Sequence, residues 1–207
     1  IAALVLVFPI QRIIFALGTM VAVGTSTSFS RCNGRKDIEG SKKVLKNGFS
    51  LSYSIMILLT ITVLLLGDRI LIILGSSQNI LPLAKDYLYY IIFGSAFLSM
   101  TLFISSIMIA LGNTKMSIVS TSIGAITNII IDFILVTKLG MGVQGAAIAT
   151  AVSQVVGFTY AYYNYRKIMK EYNMDLGFEI DKKIAMPIIT VGIAAFVIEA
   201  EDGILMS

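Results

Sequence analysis

Histidine and tryptophan are both absent from the 207 residues, and cysteine occurs once. Without histidine there is no imidazole base, no histidine metal ligand and no imidazole pH sensor. The lone Cys32 cannot close an internal disulfide. Without tryptophan, an interfacial aromatic belt has to be built from tyrosine. Tyr87, Tyr89, Tyr90, Tyr160, Tyr162, Tyr163 and Tyr165 do stand near the ends of apolar runs. Charge is scarce too: 14% of residues are Asp, Glu, Lys or Arg, against about 25% in a soluble domain. So little polar surface cannot cover a water-facing exterior, and lipid is the expected solvent. No aromatics interleave with the basic runs, which argues against a nucleic-acid partner.

What is present is apolar: 57% hydrophobic residues, with a mean hydropathy of +0.87. A membrane-spanning helix needs about 20 mostly apolar residues. Five runs qualify, at about 1–30, 47–66, 87–111, 116–136 and 141–165. A sixth, 184–198, is too short to span alone and is interrupted by Glu199, Glu201 and Asp202. The expected fold is an all-α membrane bundle of about five complete spans and a partial sixth. The first run, with Pro9, Arg12, Gly18 and Gly24, is expected to be kinked or partly unwound. Residue 1 is Ile inside an apolar run, with no basic segment or cleavage site before it, so no signal peptide is read there and the chain is expected to be an internal piece.

Polar segments separate the runs. Those at 31–46, 112–115 and 166–183 carry twelve basic residues, while 67–86 and 137–140 carry three. The asymmetry puts the first set, and with it loops 31–46 and 166–183, in the cytoplasm. Asp37 is placed to cap a short helix in the first loop, and Gly112-Asn113 to turn the chain. Arg12 either snorkels to the near interface, which its distance from the start of the run favours, or faces a water-filled cavity.

One carboxylate stands out. Asp132 is the only acid between Asp86 and Glu171, inside an apolar run where helix formation has no use for it. An ionisable group at that depth is costly and is by default a functional candidate. At 100° per residue, Ser117, Thr121, Gly124, Asn128 and Asp132 fall within an arc of about 80°. Such a stripe has to face protein or a cavity. In the next run Gly145, Ala149, Ser153 and Gly157 recur every four residues, a pattern that lets helices approach closely. Thr150 and Gln154 lie beside them. Burial disfavours a carboxylate's charge and a nearby cation favours it, so a buried Asp can exchange a proton for Na⁺. Asp132, Asn128 and Thr150 supply the oxygens a hard cation wants. The competing reading of Asp132 is a structural carboxylate bonded to neighbouring hydroxyls.

At these residues the sequence resembles the multidrug and toxic compound extrusion (MATE) transporters. The matching pieces are FPIQ at 8–11, SRCNG at 30–34, ALGNTK at 110–115, NIIIDFILV at 128–136 and LGMGVQGAAIATAVSQ at 139–154. The last two together are the most specific. The resemblance implies a twelve-helix, two-lobe transporter, of which this chain is an N-lobe fragment. Residues 1–168 then hold helices two to six of that fold, 169–183 the cytoplasmic inter-lobe loop, and 184–207 the start of the C-lobe. It implies export of small amphipathic organic cations from the cell in exchange for Na⁺ or H⁺, in the plasma membrane, with no cofactor and no enzymatic step. It also implies a cation site of Asn128, Asp132 and Thr150, completed by an acid on a helix one that this chain lacks. Helix one and the C-lobe are the expected protein partners. Arg12 is unusual for its place, and Glu199, Glu201 and Asp202 form an acidic cluster where some subfamilies carry one acid. Two other readings stay open: a lipid-linked oligosaccharide flippase, which needs basic residues inside its cavity, and a non-transporting scaffold, which leaves Asp132 without a role.

Overall fold

In lipid, backbone N–H and C=O groups find no water, so long apolar runs bond internally as helices. The computed structural model describes residues 2–171, 173 and 177–205, with side chains at 5–171, 173 and 177–201. Six α-helices run through them: α1 Ala2–Gly34, α2 Ile38–Ile73, α3 Leu81–Ala110, α4 Thr114–Asp132, α5 Gly142–Glu171 and α6 Lys182–Leu205. A π-helical segment, Phe133–Lys138, prolongs α4. No strand occurs among the described residues.

The turns follow local chemistry. Asp37 caps α2, its Oδ1 accepting the Gly40 N–H at 2.8 Å. Asn113 caps α4 by accepting the Met116 N–H, and the preceding Gly112 takes the left-handed conformation at φ 80°, open to glycine at little cost. The helices extend further than the hydropathy implies. The polar segment at 31–46 is not a loop: α1 continues to Gly34 and α2 starts at Ile38. Asp68 and Arg69 do not end α2, which runs on to Ile73; Asp68 reaches Lys85 of α3 at 2.7 Å. The first run stays one helix across Pro9. Of the expected inter-lobe loop 169–183, residues to 171 belong to α5 and those from 182 to α6. Residues 172 and 174–176, the end at 206–207 and the Asp202 side chain lie outside what is described.

Five helices are long and apolar enough to cross a membrane, but they are not the expected five. Lys182–Glu201 is among them, and α5 is not. The sixth run is therefore not too short. Its helix starts at Lys182 and continues through Glu199, whose carboxylate has a partner: Oε2 lies 4.0 Å from a guanidinium nitrogen of Arg12 on α1. α5 has the length, about 45 Å for its 30 residues at the usual rise. Its hydropathy is lower because its buried face is made of small residues, including Gly145, Ala149, Ser153 and Gly157.

α1 is the central helix, packing against α6, α3 and α2; α5 packs against α3 and α4. α1 and α6 run antiparallel with their backbones touching. A Cβ on Gly24 would overlap the Ile188 carbonyl, and one on Gly192 the Met20 carbonyl. Two apolar clusters fill the bundle. One includes Phe29, Phe103, Tyr165 and Ile188, the other Val7, Leu71, Leu88 and Ile91. Outside, side chains such as Leu65, Ile73, Ile129 and Ile198 are exposed, as a lipid-facing surface requires.

Candidate functional site

α4 lies on α5 through small residues. Built Cβ atoms would stand 3.5 Å from the Ser153 carbonyl oxygen at Gly124 and 3.4 Å from the Ser120 carbonyl oxygen at Gly157. This approach is the one foreseen for the small-residue stripe of α5. Beside the crossing lies an open cavity of 230 Å³, lined by α4, α5 and α3. Thr121, Gly124 and Asn128 of α4, Thr150, Ser153 and Gln154 of α5, and Leu98 and Thr101 of α3 are on its wall. The polar stripe thus faces a cavity over its middle section.

Asn128 and Thr150 are brought together on this wall. The Thr150 hydroxyl donates to the Ala146 carbonyl at 2.9 Å. Its proton is engaged, and its lone pairs are left to accept. Ser153 likewise donates to the Thr150 carbonyl at 2.8 Å, and Thr121 to the Ser117 carbonyl at 2.6 Å. These hydroxyls therefore turn acceptor lone pairs to the cavity, and Asn128 and Gln154 add an amide oxygen and an NH2 each; the oxygens suit a cation.

Asp132 is one turn beyond Asn128, the last residue of α4, and is not on the cavity wall. Its Oδ1 is buried and has no hydrogen-bond partner among the described residues. A buried acceptor without a donor is costly. The alternative, a structural carboxylate bonded to neighbouring hydroxyls, finds no such bond at Oδ1 among the described residues.

Two features escaped the residue pattern. The first is the π-helical segment that begins directly after Asp132. Wider turns of this kind leave carbonyls displaced from the regular ladder and recur at functional sites. Leu139 N donates to Ile134 O across five residues, and Gly145 lets α5 start close to Leu135. No local composition signals it. The second is Gln154, placed beside the stripe without a role. Its Oε1 is buried without a partner on the cavity wall, packed where a Cβ on Gly94 would overlap it. Among the described residues no three His, Cys, Asp or Glu gather. The side-chain oxygens on the cavity wall belong to neutral amides and hydroxyls, and the one carboxylate, Asp132, stands a turn beyond them.

Comparison with known proteins gives a consistent result. The MatE family model matches residues 1–134. The multidrug export protein MepA of Staphylococcus aureus (strain MSSA476) is 28% identical over 198 residues, covering 95% of this chain and 44% of MepA. An inward-facing multidrug resistance MATE transporter superposes with a TM-score of 0.85 at 28% identity, covering 99% of this chain and 47% of its own. An outward-facing one superposes with 0.87 at 28%, covering 99% and 46%. The chain spans about half the length of these relatives.

Proposed function

This chain belongs to the MatE family, and from that premise we propose that it forms the N-lobe of a cation-coupled exporter. The family consists of multi-pass membrane transporters, not enzymes. In the proposed function, small amphipathic organic cations leave the cell across the plasma membrane as Na⁺ or H⁺ enters. Asp132 is the coupling carboxylate, with Asn128, Thr150 and Gln154 contributing oxygens. The observation that carries this reading is the convergence of Asn128 and Thr150 on one cavity, with the unpartnered Oδ1 of Asp132 a turn away.

The chemistry follows from that unpartnered oxygen. A carboxylate at this depth is stabilised by a cation or by a proton, not by both at once. Whichever ion neutralises it makes the lobe acceptable to lipid, and its release towards one side drives the return step. A preceding helix would add an acid to the same cavity. α6 would open the second lobe, with substrate held between lobes, and the turn at 35–37 and the linker to α6 would face the cytoplasm. Support for rigid-lobe movement is that this one chain fits both an inward-facing and an outward-facing relative to similar extent.

A flippase for an anionic lipid-linked sugar is less favoured, because no Lys or Arg lines the cavity that holds Asn128 and Thr150. The test is export of a fluorescent organic cation by the complete protein. Asp132→Asn is expected to reduce export to background. Export at the wild-type rate would remove Asp132 from the mechanism.

A further inference from the structure

Among the described residues α2 and α5 both pack on α3 and not on each other. Between them lies an open groove of 530 Å³, lined by Phe49, Tyr53 and Ile61 of α2, Phe97 of α3, and Phe158 and Tyr162 of α5. Ile61 is twelve residues beyond Phe49, so the groove runs about 18 Å along α2. That is close to the roughly 15 Å depth of one leaflet's hydrocarbon. Part of its wall is a run of rings: Phe97 meets Phe158 edge-on at 5.4 Å, and Phe158 stacks on Tyr162 at 5.5 Å. The groove shares no lining residue with the cavity of Asn128 and Thr150.

At Tyr162 the groove adjoins a second hollow, also of 530 Å³, with a different lining. Tyr162 belongs to both, and the second adds Tyr163, Arg166, Lys167 and Lys170. Phe158, Tyr162, Arg166 and Lys170 follow one another at intervals of four, so they form one row along α5. The row passes from phenyl to phenol to guanidinium to ammonium, as a path from hydrocarbon to headgroup requires. The Arg166 guanidinium lies 6.0 Å from the Tyr162 ring centroid, a cation–π contact that holds it at the end of the groove. Arg166, Lys167 and Lys170 are exposed. Among the described residues no carboxylate forms an ion pair with any of the three.

We propose that the groove and the basic hollow together bind one anionic phospholipid of the cytoplasmic leaflet. Its phosphodiester accepts hydrogen bonds from Arg166, Lys167 and Lys170, and one acyl chain lies between α2 and α5. Charge selects the occupant. An apolar groove alone takes any lipid chain, whereas three clustered cations at its end favour an anionic headgroup. A purely apolar helix from another protein would fill the groove and leave the cations unanswered. The inference rests on the membrane reading and on the proposed orientation, not on ion coupling, so it stands or falls separately from Asp132.

The test is native mass spectrometry of the delipidated complete protein. It is titrated with dioleoyl phosphatidylglycerol or dioleoyl phosphatidylcholine, which share their chains and differ in headgroup charge. Wild type is expected to bind the first phosphatidylglycerol about tenfold or more tighter than phosphatidylcholine. The triple variant Arg166→Gln, Lys167→Gln, Lys170→Gln should abolish that preference. An equally basic control on the same proposed side, Arg31→Gln, Arg35→Gln, Lys36→Gln, should keep it within about twofold. Thr60→Phe, which fills the groove from α2, should weaken both lipids by about threefold or more. Ala96→Leu fills it from α3 and serves if Thr60→Phe does not fold. Glycerophosphoglycerol, the headgroup without chains, should not compete. The proposal is overturned if wild type shows no preference for phosphatidylglycerol, as when another part of the complete protein covers the groove. It falls if the control variant loses the preference as fully as the first, which would assign it to the whole cytoplasmic face. It falls too if the groove-filling variants bind both lipids like wild type. Competition by glycerophosphoglycerol as strong as by the lipid would make this a site for soluble phosphates and refute it.

Discussion

The linker before α6 is tied to α2 by two hydrogen bonds, and removing one makes a measurable prediction. The Glu179 N–H donates to Ser50 Oγ at 2.8 Å, and the Asp181 N–H to Asn47 Oδ1 at 2.5 Å. Both acceptor residues are fully buried. Asn47 is held in place by its own Nδ2, which donates to the Lys43 carbonyl at 2.9 Å. In Asn47→Ala the Asp181 amide loses its acceptor. A buried donor left alone costs about 1–3 kcal/mol; residue 181 is exposed, so water recovers part of this and the lower end applies. About 1–1.4 kcal/mol corresponds to a fivefold to tenfold change in the opening equilibrium. Amide hydrogen exchange on the complete protein should show residues 179–183 exchanging faster by that factor, with α3 unchanged. Ser50→Ala should do the same at Glu179 with a smaller factor, and the double variant should fall short of the product, because both bonds hold one segment. Unchanged exchange in Asn47→Ala would refute the reasoning. Equal loss of protection throughout the bundle would mean Asn47 supports global packing instead.

Two further predictions concern packing and orientation. Gly24→Val places a branched side chain against the Ile188 carbonyl. Overpacking of this kind costs about 1–3 kcal/mol or more, so the thermal midpoint in detergent should drop clearly, while Gly34→Val, with nothing within 4 Å of its Cβ, should leave it unchanged. Lys36 sits in the exposed turn between α1 and α2. In a Cys32→Ser background, Lys36→Cys should react with a membrane-impermeant maleimide in inside-out vesicles and not in intact cells. Labelling of intact cells would reverse the proposed orientation.

The helical membrane fold was legible in the sequence because a bilayer leaves few options for long apolar runs. The turn at Gly112-Asn113 and the cap at Asp37 were legible because single residues determine them. The errors have a common physical source. Hydropathy marks where lipid would accept a helix, but helices extend past that limit wherever capping and backbone bonding continue, as at 31–34, 67–73 and 182–183. α6 was misjudged because its acids were counted as interruptions, whereas Glu199 meets Arg12 on a distant helix. Of the candidate site, the stripe on α4 was visible as angular periodicity, and the meeting of Asn128 with Thr150 followed from the family resemblance. The unpartnered oxygens of Asp132 and Gln154 and the π-helical segment depend on tertiary contacts, which no residue pattern carries.

The central claim is that an ion gradient drives export through Asp132. The direct measurement is on the complete protein in liposomes, following a fluorescent organic cation under an imposed Na⁺ gradient and then an imposed pH gradient. The account predicts transport driven by one of the two in wild type and by neither in Asp132→Asn. Wild-type flux indifferent to both gradients, or gradient-driven flux surviving in Asp132→Asn, would contradict it.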